Sequence, residues 1–172
     1  MRKFLTLLLL LVMAACQSES RKPLPELIKS MELVTPRQEL IKTRLVFTDP
    51  DQVQGLSGIK DSEFENNEGM LFFYLEDGEK AFWMPDTYFD LDLFYLDHEL
   101  KIIDVVRRLP HHVGRLSPEL SPRARGVWCR HVLELKASSP IAEKLQIGEK
   151  LTWKGQYSLP ETEQKIREYL KR

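Results

Sequence analysis

Apolar residues between Leu27 and Lys154 fall into short runs separated by turn residues, at intervals that suit an antiparallel sheet better than a helical protein. The runs predict strands at Ser30 to Val34, Ile41 to Phe47, Met70 to Leu75, Ala81 to Met84, Leu91 to Leu96, Lys101 to Val106, Trp128 to Leu135 and Lys150 to Lys154. Asp77-Gly78 lies between the third and fourth of these and suits a tight hairpin, because glycine tolerates the positive φ of such turns. Thr48 or Asp49 ahead of Pro50 predicts a capped short helix over Pro50 to Gln54, ended by Gly55. Ser139-Pro140 opens a second helix closed by Gly148, with Ile141, Ala142 and Leu145 facing inward. Ser158 and Glu161 have capping-box spacing ahead of Ile166, Tyr169 and Leu170, which share one face, so a C-terminal helix over residues 158–172 should pack on the sheet. The fold expected is mainly β, a compact antiparallel barrel or jelly-roll-like sandwich with short helices and a C-terminal helix.

The N-terminal residues follow a different pattern. Arg2 and Lys3 precede an apolar run from Phe4 to Met13, broken only by Thr6, and the small pair Ala14-Ala15 stands before Cys16. That is the layout of a secretion signal over residues 1–15. The run is about half of the roughly 20 residues a membrane-spanning helix needs. Met13-Ala14-Ala15-Cys16 resembles the bacterial lipoprotein box, which implies cleavage before Cys16 and acylation of its thiol. Several acyl chains would anchor stably where one binds only marginally. By the same resemblance, Gln17 after the cysteine favours an outer membrane, with the protein facing the periplasm. Residues 16–26 are polar and end near Pro-Leu-Pro, which reads as a tether lifting a single β domain, residues 27–157, off the membrane.

Composition narrows the partners. The chain has 172 residues, 25 Lys+Arg against 26 Asp+Glu and a formal net charge of -1, so it lacks the positive excess of a typical nucleic-acid binder. With Cys16 acylated, Cys129 is the only thiol left and no internal disulfide can form. Charge is nevertheless segregated. Twelve acids and one base, Lys80, lie between Asp61 and Glu99. Arg107, Arg108, Arg115, Arg123, Arg125 and Arg130 then follow with one acid, Glu119, among them. Planar guanidinium groups suit bidentate contact with phosphate or carboxylate, so the stretch from Leu109 to Gly126 is a candidate for binding an anionic envelope component. The alternative is that these arginines pair with the acidic half of the same chain.

Gly55-Leu56-Ser57-Gly58, Gly69-Met70-Leu71-Phe72-Phe73, Phe82-Trp83-Met84-Pro85-Asp86-Thr87, Leu91-Asp92-Leu93-Phe94-Tyr95-Leu96 and Val132-Leu133-Glu134-Leu135 occur in one order. Together, over roughly Leu40 to Lys154, they resemble the bacterial and archaeal domain of unknown function 192. The resemblance implies a compact, mainly β domain and implies no reaction. Pro85-Asp86 stands where that family usually has Lys-Asn. Physically, Met70, Phe72, Phe82, Trp83, Met84, Leu91 and Leu93 are the large apolar groups that fill a small barrel. The functional alternative is a pocket lined by Trp83 and Met84, with Thr87 and Asp92 supplying polar contacts. Asp92 is informative because a carboxylate amid Leu91, Leu93 and Phe94 needs donors or a cation if it is buried.

His111-His112 and Cys129-x-His131 invite a metal or a Cys/His nucleophile, since alternate positions of one strand share a face. Neither spacing supplies a full ligand set or a triad, and no Gly-x-Ser-x-Gly elbow, phosphate loop or dinucleotide fingerprint occurs. No cofactor, metal or catalytic residue is therefore assigned. The expectation is a non-enzymatic, lipid-anchored envelope protein that binds or assembles. The alternative is an envelope enzyme acting on a cell-wall or lipid component through Asp92, Cys129 or a histidine.

Overall fold

Two strands set the architecture, because Leu91–Leu96 (β5) and His131–Lys136 (β8) are buried at every position and side chains from both faces of the sheet must therefore be covered. The computed structural model describes residues 26–117 and 119–171. The stretch expected to be a secretion signal and nearly all of the expected tether, including Cys16, lie outside those residues. Glu26–Lys29 (α1) leads into the hairpin of Ser30–Val34 (β1) and Leu40–Val46 (β2). Asp49–Gln54 (α2) and a single 3₁₀ turn at Asp61–Glu63 cross over to Glu68–Phe72 (β3), which runs parallel to β2. Gly78–Lys80 (β4) precedes β5, Ile102–Leu109 (β6) and Val127–Cys129 (β7), and after β8 come Pro140–Lys144 (α3), Thr152–Lys154 (β9) and Leu159–Leu170 (α4).

Seven strands form one curled half-barrel sheet in the order β6-β5-β8-β3-β2-β1-β9. The mainly β expectation, with few short helices and a C-terminal helix, holds. The sheet is antiparallel except at β2 and β3. Its edges approach one another where Leu151 donates its amide to Leu100 and Ile102 donates to Glu149.

Period-two alternation sorts side chains into two cores. Leu71, Phe94, Leu96, Leu133 and Leu135 meet Leu33, Ile41, Ala142, Leu145 and Ile166 on one face. Met70, Phe72, Leu91, Leu93, Tyr95 and Val132 meet Phe64, Phe82, Met84 and Phe89 on the other. The C-terminal helix is fixed by the expected capping box, in which Ser158 and Glu161 exchange hydrogen bonds, and by the edge of Tyr169 against Phe47.

Three local expectations are corrected. Met70 to Leu75 and Ala81 to Met84 do not form a hairpin across Asp77-Gly78: β3 pairs with β2 and β8, while Gly78–Lys80 pairs with β7 as a separate ribbon. Gly78 is not in the left-handed region that such a turn needs, and Asp77 is held by Arg130 at 2.6 Å. Of Ala81 to Met84, only Trp83 makes a ladder contact, an isolated bridge to Arg123. The strand expected from Trp128 to Leu135 bends at Arg130, whose amide donates to the Leu96 carbonyl. Cys129 consequently joins the second core while His131 stacks on Phe73 of the first, so the two do not share a face. The first helix runs Asp49–Gln54, with Thr48 as its cap and Gly55 at φ 47° as its end.

Gly69 marks the tightest approach in the sheet. A Cβ there would lie 2.8 Å from Leu135 Cδ2 and 3.0 Å from both Ile41 Cγ2 and Leu133 Cδ1. Gly69→Ala is therefore expected to destabilise the fold by about 1–3 kcal/mol, as overpacking of a well-filled core does. Urea denaturation checks this, and an unchanged midpoint would contradict it.

Candidate functional site

The residues of β5 and β8 are buried, so their polar side chains are largely withdrawn from water and need partners. Tyr95 donates its hydroxyl to the Arg125 carbonyl, and three others are also satisfied. Asp92 Oδ2 accepts from Arg107 Nη1 at 2.6 Å, and its Oδ1 accepts the Arg108 amide at 2.8 Å. His131 Nδ1 accepts the Tyr74 amide at 3.3 Å; burial, with the Arg130 charge nearby, pushes its pKa down to about 3 and keeps the ring neutral. Lys136 Nζ donates to the Asp61 carboxylate at 2.8 Å and the Asp61 carbonyl at 2.7 Å. Glu134 is the exception. It is 4% exposed, and no hydrogen bond or ion pair reaches its carboxyl among the described residues.

Its register explains where that carboxyl points. Glu134 pairs with Met70 of β3 on one side and Leu93 of β5 on the other, so it shares the face of the second core. There it lines a cleft of about 460 Å³ together with Phe72 and Leu91. One wall runs from α2 through Gly55, Leu56 and Ser57. Gly55 is needed in this wall because of its positive φ and because a Cβ would stand 3.2 Å from Phe72. The facing wall is Ala81 to Pro85 with Thr87, and Tyr74 closes one side. Phe82 meets Phe72 edge-on with centroids 4.7 Å apart.

Backbone bonds hold the facing wall. Met84 donates its amide to Pro122, Ala124 to Phe82, Thr87 to His112 and Asp86 to Gly114. Asp86, at φ 48°, returns a carboxylate to the Gly114 amide and a carbonyl to the Gly58 amide, which ties the two walls together. Asp tolerates this left-handed backbone much as Asn does. The stretch from Leu109 to Gly126, singled out by its arginines, thus buttresses the cleft with its main chain.

The predicted pocket residues divide. Trp83, Met84 and Thr87 line the cleft, with Met84 and Thr87 buried and Trp83 37% exposed at the mouth. Asp92 does not join them, since it pairs with Leu135 on the opposite face of β5. Its contacts with Arg107 and the Arg108 amide are those of a structural carboxylate, and Arg107 also donates to the Ala142 and Leu145 carbonyls that end α3. The arginines are likewise dispersed. Arg107 is turned to Asp92, Arg125 to Asp104 at 2.6 Å, and Arg130 to Asp77 and Glu163. Arg108, Arg115 and Arg123 have exposed side chains. Among the described residues, no group of three or more His, Cys, Asp or Glu converges in a way that could hold a metal ion.

Sequence reasoning missed Glu134, although a signal was present. The logic applied to Asp92, a carboxylate inside an apolar strand, holds equally for Glu134 between Leu133 and Leu135. Chemically, the cleft offers a buried acid under aromatic walls. Burial also raises the Tyr74 phenol to about 12 and the Cys129 thiol to about 11, so both stay protonated, and a thiolate nucleophile is disfavoured.

The model of the domain of unknown function 192 family (DUF192), described as "Uncharacterized ACR", matches residues 32–153, a span that contains the whole cleft. A crystal structure of a proposed transcription regulator from Sinorhizobium meliloti 1021 is similar to this chain with a TM-score of 0.55 and 21% identity, covering 72% of this chain and 92% of that one. A protein of unknown function from Novosphingobium aromaticivorans DSM 12444 is similar with a TM-score of 0.56 and 18% identity, covering 72% and 84%. At these identities the likeness concerns the fold alone. No curated protein matches the chain.

Burial pushes the Glu134 carboxyl from its ordinary 4.5 up to about 8. Between those values the folded chain retains a proton that the unfolded chain has released, so this group lowers stability progressively as pH rises and ceases to add to the loss above its folded pKa. Glu134→Gln removes that penalty while keeping the shape. The variant should match the parent near pH 4 and gain roughly 3–5 kcal/mol by about pH 8. Urea melts at stepped pH measure the difference, and one that stays constant over that range would sink the assignment.

Proposed function

This chain belongs to the domain of unknown function 192 family, and we propose that it is a non-enzymatic, lipid-anchored module of the cell envelope that binds a small molecule in the cleft over Glu134. One observation carries the binding part: Glu134, a residue 4% exposed whose carboxyl has no hydrogen bond or ion pair among the described residues, lines a cleft of about 460 Å³. A buried polar group without an internal partner is stabilised by a ligand that supplies one. The volume lies within the roughly 300–1,000 Å³ usual for small-molecule sites. The candidates for chemistry do not assemble a nucleophile and its base in the cleft, which favours binding over turnover: Cys129 and His131 lie in different cores, and Asp92 is engaged by Arg107 on the opposite face of β5. The cleft lining contains Asp49 and Glu134 and no Lys, Arg or His, so an anionic envelope component is not the occupant in this reading.

The envelope placement is supported by the basic, apolar and small-residue order that ends at Cys16. Cell fractionation of the parent and of Cys16→Ser tests it. The parent should sediment with membranes and the variant should move to the soluble fraction, whereas equal sedimentation of both would remove the anchor. Methyl NMR of the methionines tests the cleft. Small polar and charged fragments should shift Met84, which lines the cleft, and leave Met31, in the first core, unmoved. A fragment set that never moves Met84 would end the binding assignment.

A further inference from the structure

We propose that the ligand of this cleft is an organic cation, an ammonium head carried on an apolar body, with its head against Glu134. The inference rests on the binding assignment above and names the chemical class. The charge of the lining supplies the first reason. Glu134 sits on the floor and the exposed Asp49 at the rim, with no basic side chain between them, so the lining offers an anion no pairing charge and a cation two carboxyl groups. The walls supply the second. Phe72, Tyr74, Phe82 and Trp83 bring aromatic surface around the one buried carboxyl, and ring faces attract cations as well as apolar bodies. The third is comparative: Asp92, Tyr95, His131 and Lys136, the other polar side chains of the two central strands, are satisfied from within the chain, and of these strands' polar groups only Glu134 is left for an outside partner.

Capture of a cation is coupled to proton release. The titratable groups facing Glu134 are Tyr74 from the segment after β3 and Tyr95 from β5, and Cys129 of β7 acts on both tyrosines. Lys80 Nζ stands 4.0 Å over the Tyr74 ring, outside the lining. Asp49 of α2 faces solvent at the rim. Burial raises the pKa of both phenols and of the thiol, so they remain neutral through the working range and Glu134 alone changes charge on the floor. Below about 8, where the free carboxyl holds its proton, pairing with an ammonium expels that proton.

The test uses the full chain in nonionic detergent and three size-matched probes, benzylammonium, benzyl alcohol and benzoate, each titrated while the Met84 methyl is followed by NMR. Benzylammonium should bind about tenfold or more tightly than either other probe, and its affinity should rise by up to about tenfold per pH unit between roughly pH 6 and 8, then level. Glu134→Gln should erase both the preference and the pH slope. Trp83→Leu, at the mouth, should weaken benzylammonium severalfold and keep the slope. Benzyl alcohol or benzoate binding as well as the cation, or Glu134→Gln retaining the preference, would overturn the cation assignment and leave the cleft as a binding site. Failure of all three probes to move Met84 would overturn the binding assignment as well.

Discussion

Burial of the central strands on both faces is the constraint from which the rest of the molecule follows. A half-barrel sheet with one solvated face could carry polar residues freely at alternate positions, but β5 and β8 cannot, because α3, α4 and neighbouring strands cover one face and the segments around Phe64, Phe82 and Phe89 cover the other. Each polar side chain on them therefore commits some other part of the chain. Asp92 fixes Arg107 and, through it, the carbonyl end of α3. Lys136 fixes the 3₁₀ turn at Asp61, and His131 fixes the course of the backbone at Tyr74. These polar contacts determine where the connecting segments lie, while the apolar groups provide most of the burial.

Glu134 is the departure from that rule, and its isolation is costly by the same physics. A carboxyl kept neutral in an apolar setting is tolerated when something other than stability maintains it. The neighbouring cleft supplies that reason, since its floor, aromatic walls and acid lining are assembled by segments whose own conformations are demanding. Gly55 and Asp86 both adopt positive φ, and Asp86 alone bonds to both Gly58 and Gly114. The aromatic and thioether residues of the middle of the chain serve two purposes here: Phe72, Phe82 and Met84 belong to the second core and also face the opening.

Much of this was legible in the amino-acid order, and the losses have a common cause. Strands at Ser30–Val34 and Leu91–Leu96, the Thr48 cap and the Ser158 capping box depend on neighbours within a few positions, and local patterns report them directly. The failed hairpin and the broken strand depend on partners far along the chain. Gly78 pairs with Cys129, and Arg130 leaves the ladder to donate to Leu96 and to reach Asp77. The same division runs through the site. Trp83, Met84 and Thr87 were identifiable from their own motif, whereas Asp92 and Glu134 present almost identical local sequence and opposite fates. What separates them is Arg107, fifteen positions beyond Asp92, which occupies one carboxylate and has no counterpart at the other.

The way the cleft is walled has a consequence for how such a protein can diversify. Its floor belongs to the sheet, but the wall from Ala81 to Thr87 is joined to the stretch from His112 to Ala124 by isolated bridges and single amide bonds. Substitutions or length changes in those two segments alter what the opening admits while leaving strand registry untouched. Within the wall itself the freedom is uneven: Trp83 stands partly exposed at the opening and outside the core, whereas Phe82 and Met84 are shared with the second core, so a change of guest is cheapest at the former.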